Sequence, residues 1–151
     1  MTLRFTLQDS SVTKKMRKEF DRRNMNQKFV KWLYRKGFLE PYKDKINLER
    51  CKRGKIPRGF DVHHIVPLSG GGSNHVSNFC LIERSLHKFI NKKCFEPAVR
   101  RLKVGEAIDI EIPDFPKVAL RRDFNGFIDK KLKHDRDRHK FYQYLRKWEK
   151  Q

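Results

Sequence analysis

The chain has 151 residues, of which 36% are charged, and Lys and Arg outnumber Asp and Glu by 37 to 18. The resulting formal net charge of +19 attracts polyanions and makes nucleic acid the expected partner. Leu, Ile, Val and Phe together number 41, which excludes a disordered chain and predicts a packed core within one domain, residues 1–151.

The sequence contains no apolar run long enough to span a bilayer, and its N-terminus lacks the charged-then-apolar pattern of a signal peptide. We therefore expect no membrane partner and a cytoplasmic location, or export by a route that reads no such signal. The cysteines Cys51, Cys80 and Cys94 have no CxxC spacing, which argues against a disulfide framework and against a zinc knuckle. Cys80 and Cys94 are expected to be small buried apolar residues.

Residues 1–58 form a basic arm that is predicted to be mainly helical. Apolar residues recur with a period of about 3.6 between Ser11 and Lys36, and Asn-Met-Asn at 24–26 is a candidate break between two helices. Gly37 is a candidate helix stop. Residues 41–58 are polar and lysine-rich, which predicts a loop with a short turn of helix.

Residues 59–94 read as a hairpin followed by a helix. A short apolar strand over residues 60–66 ends at Pro67, a Gly- and Asn-rich loop follows, and residues 78–82 form a second strand. His63 and His64 are adjacent on the first strand, so their side chains point to opposite sides unless the strand twists or bends. His87 and Asn91 are four residues apart on the helix and therefore share one face. Such nitrogen and oxygen sets suit divalent ions.

Residues 95–151 are predicted to continue this helix, followed by a short strand and a C-terminal helix. Ile108, Ile110 and Ile112 alternate with acidic residues, which predicts an extra strand near residues 107–112 that ends at Pro113. The final helix is predicted from Gly126 to about Lys150. The predicted fold class is α+β, with a small hairpin-and-helix core embedded in flanking helices.

At residues 59–94 the sequence resembles the HNH nucleases, also called ββα-metal nucleases. The resemblance covers roughly a quarter of the chain. It depends on the His-His-Ile-Val-Pro strand, the glycine-rich loop, Asn78 before Phe-Cys-Leu-Ile, and the His-x3-Asn helix, in that order. The fold that it implies for this segment is the ββα-metal core.

The resemblance implies a role for each matching residue. His64 resembles the general base that takes a proton from water, a task suited to an imidazole whose pKa lies near 7. His63 and His87 resemble metal ligands on the strand and the helix, and Asn91 resembles the last motif position, where relatives carry His or Asn. Asn78 resembles the hairpin asparagine that braces the loop and helps to orient the base.

The function implied by the resemblance is hydrolysis of nucleic-acid phosphodiester bonds by a metal-dependent endonuclease, with DNA as the expected substrate and low sequence specificity or nicking activity. One divalent ion is expected, with Mg²⁺ as first choice and Mn²⁺, Ni²⁺ or Zn²⁺ as alternatives. The setting would be a bacterial or phage-infected cell. An alternative within the nuclease class is an antibacterial toxin domain, whose partner would be an acidic immunity or inhibitor protein. The oligomeric state is open.

Charge is unevenly distributed along the chain, at +12 over residues 1–60, +2 over residues 61–94 and +5 over residues 95–151. Cations beside the metal would repel it, whereas basic arms can hold the nucleic-acid backbone on either side. The candidate contacts are Lys52, Arg53, Lys55, Arg58 and Arg84. They could equally serve only to keep the protein soluble.

Two residues of the motif region, and the function of the chain as a whole, have alternative interpretations. His75 is expected to be a solvated loop residue. Asp61 is either a partner that orients a histidine or an ordinary strand-edge carboxylate. The alternative to an enzyme is a basic nucleic-acid-binding protein in which the His and Asn side chains merely hold a structural metal.

Overall fold

The computed structural model describes residues 1–133 and 138–149, and it confirms the predicted α+β class. The strands are β1 (Thr2–Thr6), β2 (Phe60–His64), β3 (Phe79–Glu83), β4 (Ala107–Glu111) and β5 (Val118–Ala119). The helices are α1 (Ser10–Arg22), α2 (Met25–Arg35), α3 (Leu48–Lys52), α4 (Arg84–Phe89), α5 (Glu96–Val99), α6 (Asn125–Lys131) and α7 (Arg138–Glu149). None of the helices in these ranges combines the length and the apolar character needed to cross a bilayer.

The basic arm contains the two predicted helices. Asn24, with φ of 52°, breaks the helical path between α1 and α2, as the Asn-Met-Asn segment predicted. Gly37, with φ of 78°, follows the end of α2, and Phe38 donates its backbone N–H to the Leu33 carbonyl at 3.1 Å. This is the left-handed helix ending that glycine favours, so the predicted stop is confirmed.

Strand β3 is the central strand of a three-stranded sheet, antiparallel to β2 and parallel to β5. All five of its residues are buried. Cys80 and Ile82 belong to one cluster of buried apolar side chains, whereas Phe79 and Leu81 belong to a second cluster. Because successive side chains of a strand point to opposite faces, residues 79–82 of this strand face the two cores and must all be apolar, whereas its last residue, Glu83, is a buried carboxylate.

Strand β1 was not predicted from the sequence. It pairs antiparallel with β4, the strand predicted near residues 107–112, in a separate two-stranded sheet. Leu3 and Phe5 point into the first cluster, while Thr2 and Arg4 are exposed. The arm over residues 1–58 is therefore not helical at its start.

The end of the chain differs from the prediction. The helix predicted from Gly126 to about Lys150 is not continuous, because α6 ends at Lys131 and residues 132–133 form a turn. Leu132 is buried at that turn and closes α6 by donating its N–H to the Ile128 carbonyl at 2.9 Å. Part of the predicted helix, residues 134–137 and 150–151, lies outside the described residues.

Candidate catalytic cleft

A cleft of about 310 Å³ lies between α1, the β2–β3 hairpin and α4. It is lined by His63, His64, His87 and Asn91, four of the five motif residues predicted from the sequence to carry catalysis and metal binding, and Asn78 is outside this lining. Arg17 of α1 also lines it. The two adjacent histidines of β2 therefore reach one cavity, as the prediction required of a twisted or bent strand.

His63 and His87 form a close pair in this cleft. Their ring centroids are 4.9 Å apart, and Phe115 packs against the His63 ring at 5.4 Å. His63 is 3% exposed, and its Nε2 is shielded from solvent without a hydrogen-bond partner in the described part of the chain. Burial, together with the charges of His87 and His64, lowers the pKa of His63 to about 3. The ring is therefore neutral at pH 7, the form in which imidazole binds metals.

Asp61 determines the tautomer of His87. Its Oδ2 lies 2.9 Å from His87 Nδ1, and its Oδ1 lies 3.4 Å from Arg84 Nε. Since a carboxylate only accepts, Nδ1 donates, and the neutral ring keeps its lone pair on Nε2. Burial alone would raise the pKa of Asp61, but the His87 and Arg84 contacts outweigh it and lower that pKa. Of the two readings of Asp61, the structure favours the partner that orients a histidine.

His64 is held in one tautomer by Asn74. The Nδ2 of Asn74 donates to the Met16 carbonyl at 3.0 Å, so its Oδ1, 3.0 Å from His64 Nε2, accepts. His64 Nε2 therefore carries the proton, and Nδ1 remains free to accept one. The ring is buried between Phe20 and Phe79, each with a centroid distance of 4.9 Å.

The surroundings of His64 keep it neutral. Burial lowers its pKa, the Asn74 hydrogen bond opposes this, and the charges of Arg17 and His87 lower the pKa further. A neutral imidazole with a free Nδ1 can accept a proton at neutral pH.

Asn78 closes the loop between β2 and β3. Its Oδ1 accepts from Val66 N–H at 2.9 Å, and its Nδ2 donates to the carbonyls of Val66 and Ser73 at 2.9 and 3.0 Å. At Gly72 a Cβ would lie 1.8 Å from the Val66 carbonyl oxygen, so only glycine fits there. Asn78 thus supports the loop that carries Asn74, and none of these three hydrogen bonds involves His64.

The predicted nucleic-acid contacts lie apart from one another. Arg84 is half-buried beside Asp61, near the cleft. Lys52, Arg53 and Lys55 are exposed around the end of α3. Arg58 is exposed and lines a different pocket, together with Lys45 and Arg50. His75 is an exposed loop residue, as predicted, and its Nδ1 lies 2.7 Å from Ser77 Oγ.

Sequence reasoning missed two residues of the cleft region. Arg17 is an exposed cation of α1, and its guanidinium lies 5.3 Å from the centre of the Phe20 ring. Asn74 is predicted from the sequence only as part of the Gly- and Asn-rich turn after the first strand. A helical spacing could have placed Arg17 near the buried Phe20, but no local pattern joins α1 to a loop more than 50 residues away.

Within residues 1–133 and 138–149, no three His, Cys, Asp or Glu side chains are grouped so as to hold a metal ion. The cleft residues predicted as metal ligands supply two imidazoles, those of His63 and His87, and the amide of Asn91, which is exposed in the π-helical segment Ile90–Phe95. The buried, unpartnered Nε2 of His63 is the group most in need of a ligand.

No protein-family model, no curated protein and no solved structure matches this chain. Inferences about its function therefore depend on the geometry of the cleft and on the motif of residues 59–94.

Proposed function

We propose that the chain is a metal-dependent endonuclease of the HNH type. The observation that carries the proposal is the convergence of His63, His64, His87 and Asn91 in one cleft. The β2–β3 hairpin followed by α4 is consistent with the ββα-metal core that the resemblance implies. His64 is the proposed general base, and its free Nδ1 would take the proton of the attacking water.

The residues of the cleft fit a divalent ion. His63 and His87 would hold it, with Asn91 at the edge, because His63 Nε2 lacks a partner in the described part of the chain and Asp61 places the proton of a neutral His87 ring on Nδ1. A bound ion would stabilise the negative charge that develops on the phosphate. Mg²⁺ prefers oxygen ligands whereas imidazole suits Ni²⁺ and Zn²⁺, so the identity of the ion must be measured.

The proposed substrate is nucleic acid, with DNA preferred over RNA. A chain of net charge +19 neutralises backbone phosphates readily. Arg17 lines the cleft beside His64 and is the cation best placed to contact the phosphate under attack. Arg84 forms an ion pair with Asp61, so its main role is to support the pair formed by His63 and His87.

Incubating the protein with supercoiled plasmid should test the proposal directly. We expect conversion to nicked or linear DNA in the presence of Mg²⁺, Mn²⁺, Ni²⁺ or Zn²⁺, and none in excess chelator. The products should carry 5′-phosphate and 3′-hydroxyl ends. Single-stranded DNA and RNA in parallel reactions define the substrate class. Tight DNA binding without cleavage under any metal would instead favour the non-catalytic binding protein.

Removing the charges of Lys52, Arg53 and Lys55 together should reduce the dependence of DNA binding on salt. Log affinity falls with log salt by about 0.9 per phosphate contact on duplex DNA, because each contact releases condensed counterions. The triple Gln variant should therefore have a slope shallower by about 1–3 and should bind all sequences more weakly to the same extent. Fluorescence anisotropy between about 50 and 200 mM salt measures the slope. A slope equal to that of the unchanged protein would mean that these side chains only confer solubility.

A further inference from the structure

A second pocket of about 380 Å³ lies near the start of β2, separate from the cleft. It is lined by Lys45, Asn47, Arg50, Pro57 and Arg58. Three of these five side chains are cationic and none is acidic. The side-chain oxygen of Asn47 accepts from Arg50 N–H at 3.2 Å, so that oxygen is already used to begin α3.

The charges of this pocket are poorly compensated by the protein. Lys45 lies 3.3 Å from the buried carboxylate of Glu83, which also accepts the Arg121 backbone N–H at 3.1 Å. In the described part of the chain, Arg50 and Arg58 have no ion pair, and Arg50 Nε is shielded from solvent without a hydrogen-bond partner. Like charges that share a pocket repel, and an anion between them would remove that repulsion.

We propose that Lys45, Arg50 and Arg58 bind a backbone phosphate of the nucleic-acid substrate, outside the catalytic cleft. Guanidinium groups suit this ligand because their N–H donors match the oxygens of a phosphate. The choice of a nucleic acid as the polyanion rests on the proposed function.

The position of the pocket fits a contact on the same bound strand or its complement. Arg58 precedes His64 by six residues, mostly along β2, so their Cα atoms are at most about 22 Å apart. This corresponds to roughly six base pairs of duplex, at about 3.4 Å per base pair. Substrate anchored here would be held on one side of the proposed cleavage position.

The Arg50→Gln/Arg58→Gln variant tests the pocket. Lys45 is left unchanged because its replacement would leave the buried carboxylate of Glu83 without this ion-pair partner. Duplex DNA binding is measured by anisotropy across a salt series without divalent metal, so that no cleavage is needed. We expect a salt slope shallower by about 1, because the pocket holds one phosphate and each phosphate contact contributes about 0.9 to the slope. An unchanged slope would overturn the proposal.

Two matched variants exclude trivial causes. Arg100→Gln/Arg101→Gln removes the same charge from exposed residues between Val99 and Leu102, which pack on the other core cluster. This control should leave the salt slope of DNA binding unchanged. If it made the slope equally shallow, the effect would be due to net charge alone and not to the pocket. Arg50→Lys/Arg58→Lys keeps the charge and should restore most of the slope. A slope as shallow as that of the Gln variant would attribute the effect to altered structure and overturn the proposal.

A duplex with 5′-phosphate ends and one without should bind equally, because internal phosphates fill the pocket. A pocket-dependent affinity seen only with phosphorylated ends would contradict a backbone contact.

The outcomes also separate this proposal from the proposed function. If the protein cleaves DNA but the Arg50→Gln/Arg58→Gln variant has an unchanged salt slope, the nuclease function stands and the proposed phosphate pocket is wrong. If the protein binds DNA through the pocket but never cleaves it, only the nuclease function is wrong.

Discussion

Replacing His64 with alanine should lower the rate of metal-dependent cleavage by about 10²- to 10⁴-fold, the usual contribution of a general base. His64 is the cleft residue whose Nδ1 is left unprotonated, since Nε2 carries the proton and donates it in a hydrogen bond to Asn74 Oδ1. The measurement is single-turnover cleavage of plasmid at saturating protein and metal, which isolates the chemical step from binding. Turnover of the His64→Ala variant at the rate of the unchanged protein would contradict the assignment.

The controls for His64 follow from its packing. The ring fills space between Phe20 and Phe79, so circular dichroism and thermal melting must show that the alanine variant is folded. Metal affinity should be retained. Asn74→Ala should reduce the rate less, because it removes the group that orients the base and leaves the base in place. Added imidazole should restore part of the activity to His64→Ala and none to Asn74→Ala.

Replacing His63 or His87 with alanine should weaken divalent metal binding by at least about 10²-fold, more than the roughly 10- to 100-fold typical of partners outside the ligand set. Each change removes one of the two imidazoles of the proposed ligand set, which leaves the other imidazole and the Asn91 amide. Isothermal titration calorimetry with Mg²⁺, Mn²⁺, Ni²⁺ and Zn²⁺ at fixed pH measures the affinities and identifies the preferred ion.

His75 supplies the matched control, because it is an exposed histidine whose ring contacts Ser77. His75→Ala should bind metal as the unchanged protein does. Asp61→Asn should show an intermediate loss, since the carboxylate that holds His87 Nδ1 is replaced by a neutral amide. If His75→Ala abolished binding while His87→Ala left it intact, the proposed ligands would be wrong.

The sequence predicted those elements whose signal is local. The two helices of the arm follow from their apolar period and from Asn24 and Gly37, both of which adopt positive φ. Strand β4 follows from alternation of Ile with acidic residues. Strand β1 is as long as β4 and also alternates, with Leu3 and Phe5 between polar residues, so its local signal was present and was missed. The two-residue β5 is too short to show such a signal, and its partner β3 lies far along the chain. The turn after α6 was missed because apolar residues recur at helical spacing both before and after it, and the sequence between them contains no Pro or Gly to mark a break.

The motif residues of the cleft could be predicted because their order and spacing are themselves a pattern. The hydrogen bonds that determine the tautomers of His64 and His87 could not be predicted from the sequence. Met16 and Asn74 are 58 residues apart, and Asp61 and His87 are 26 apart, so each pairing exists only after the chain has folded. Arg17 is one of many exposed lysines and arginines on α1, and only packing against the loop distinguishes it from the others.

The pairing of β1 with β4 has a consequence for synthesis of the protein on the ribosome. Gln8, just after β1, donates its N–H to the Ser69 carbonyl at 2.9 Å, and Gly70 lies against the Phe5 ring, so β1 supports the loop that carries Asn74. Thr6, however, pairs with Ala107, about 100 residues later. At roughly 5–20 residues per second, the first strand waits about 5–20 s for its partner. A nascent chain between about 91 and 106 residues long therefore holds every motif residue but lacks the strand pair that braces them, and we expect it to be harmless to nucleic acid.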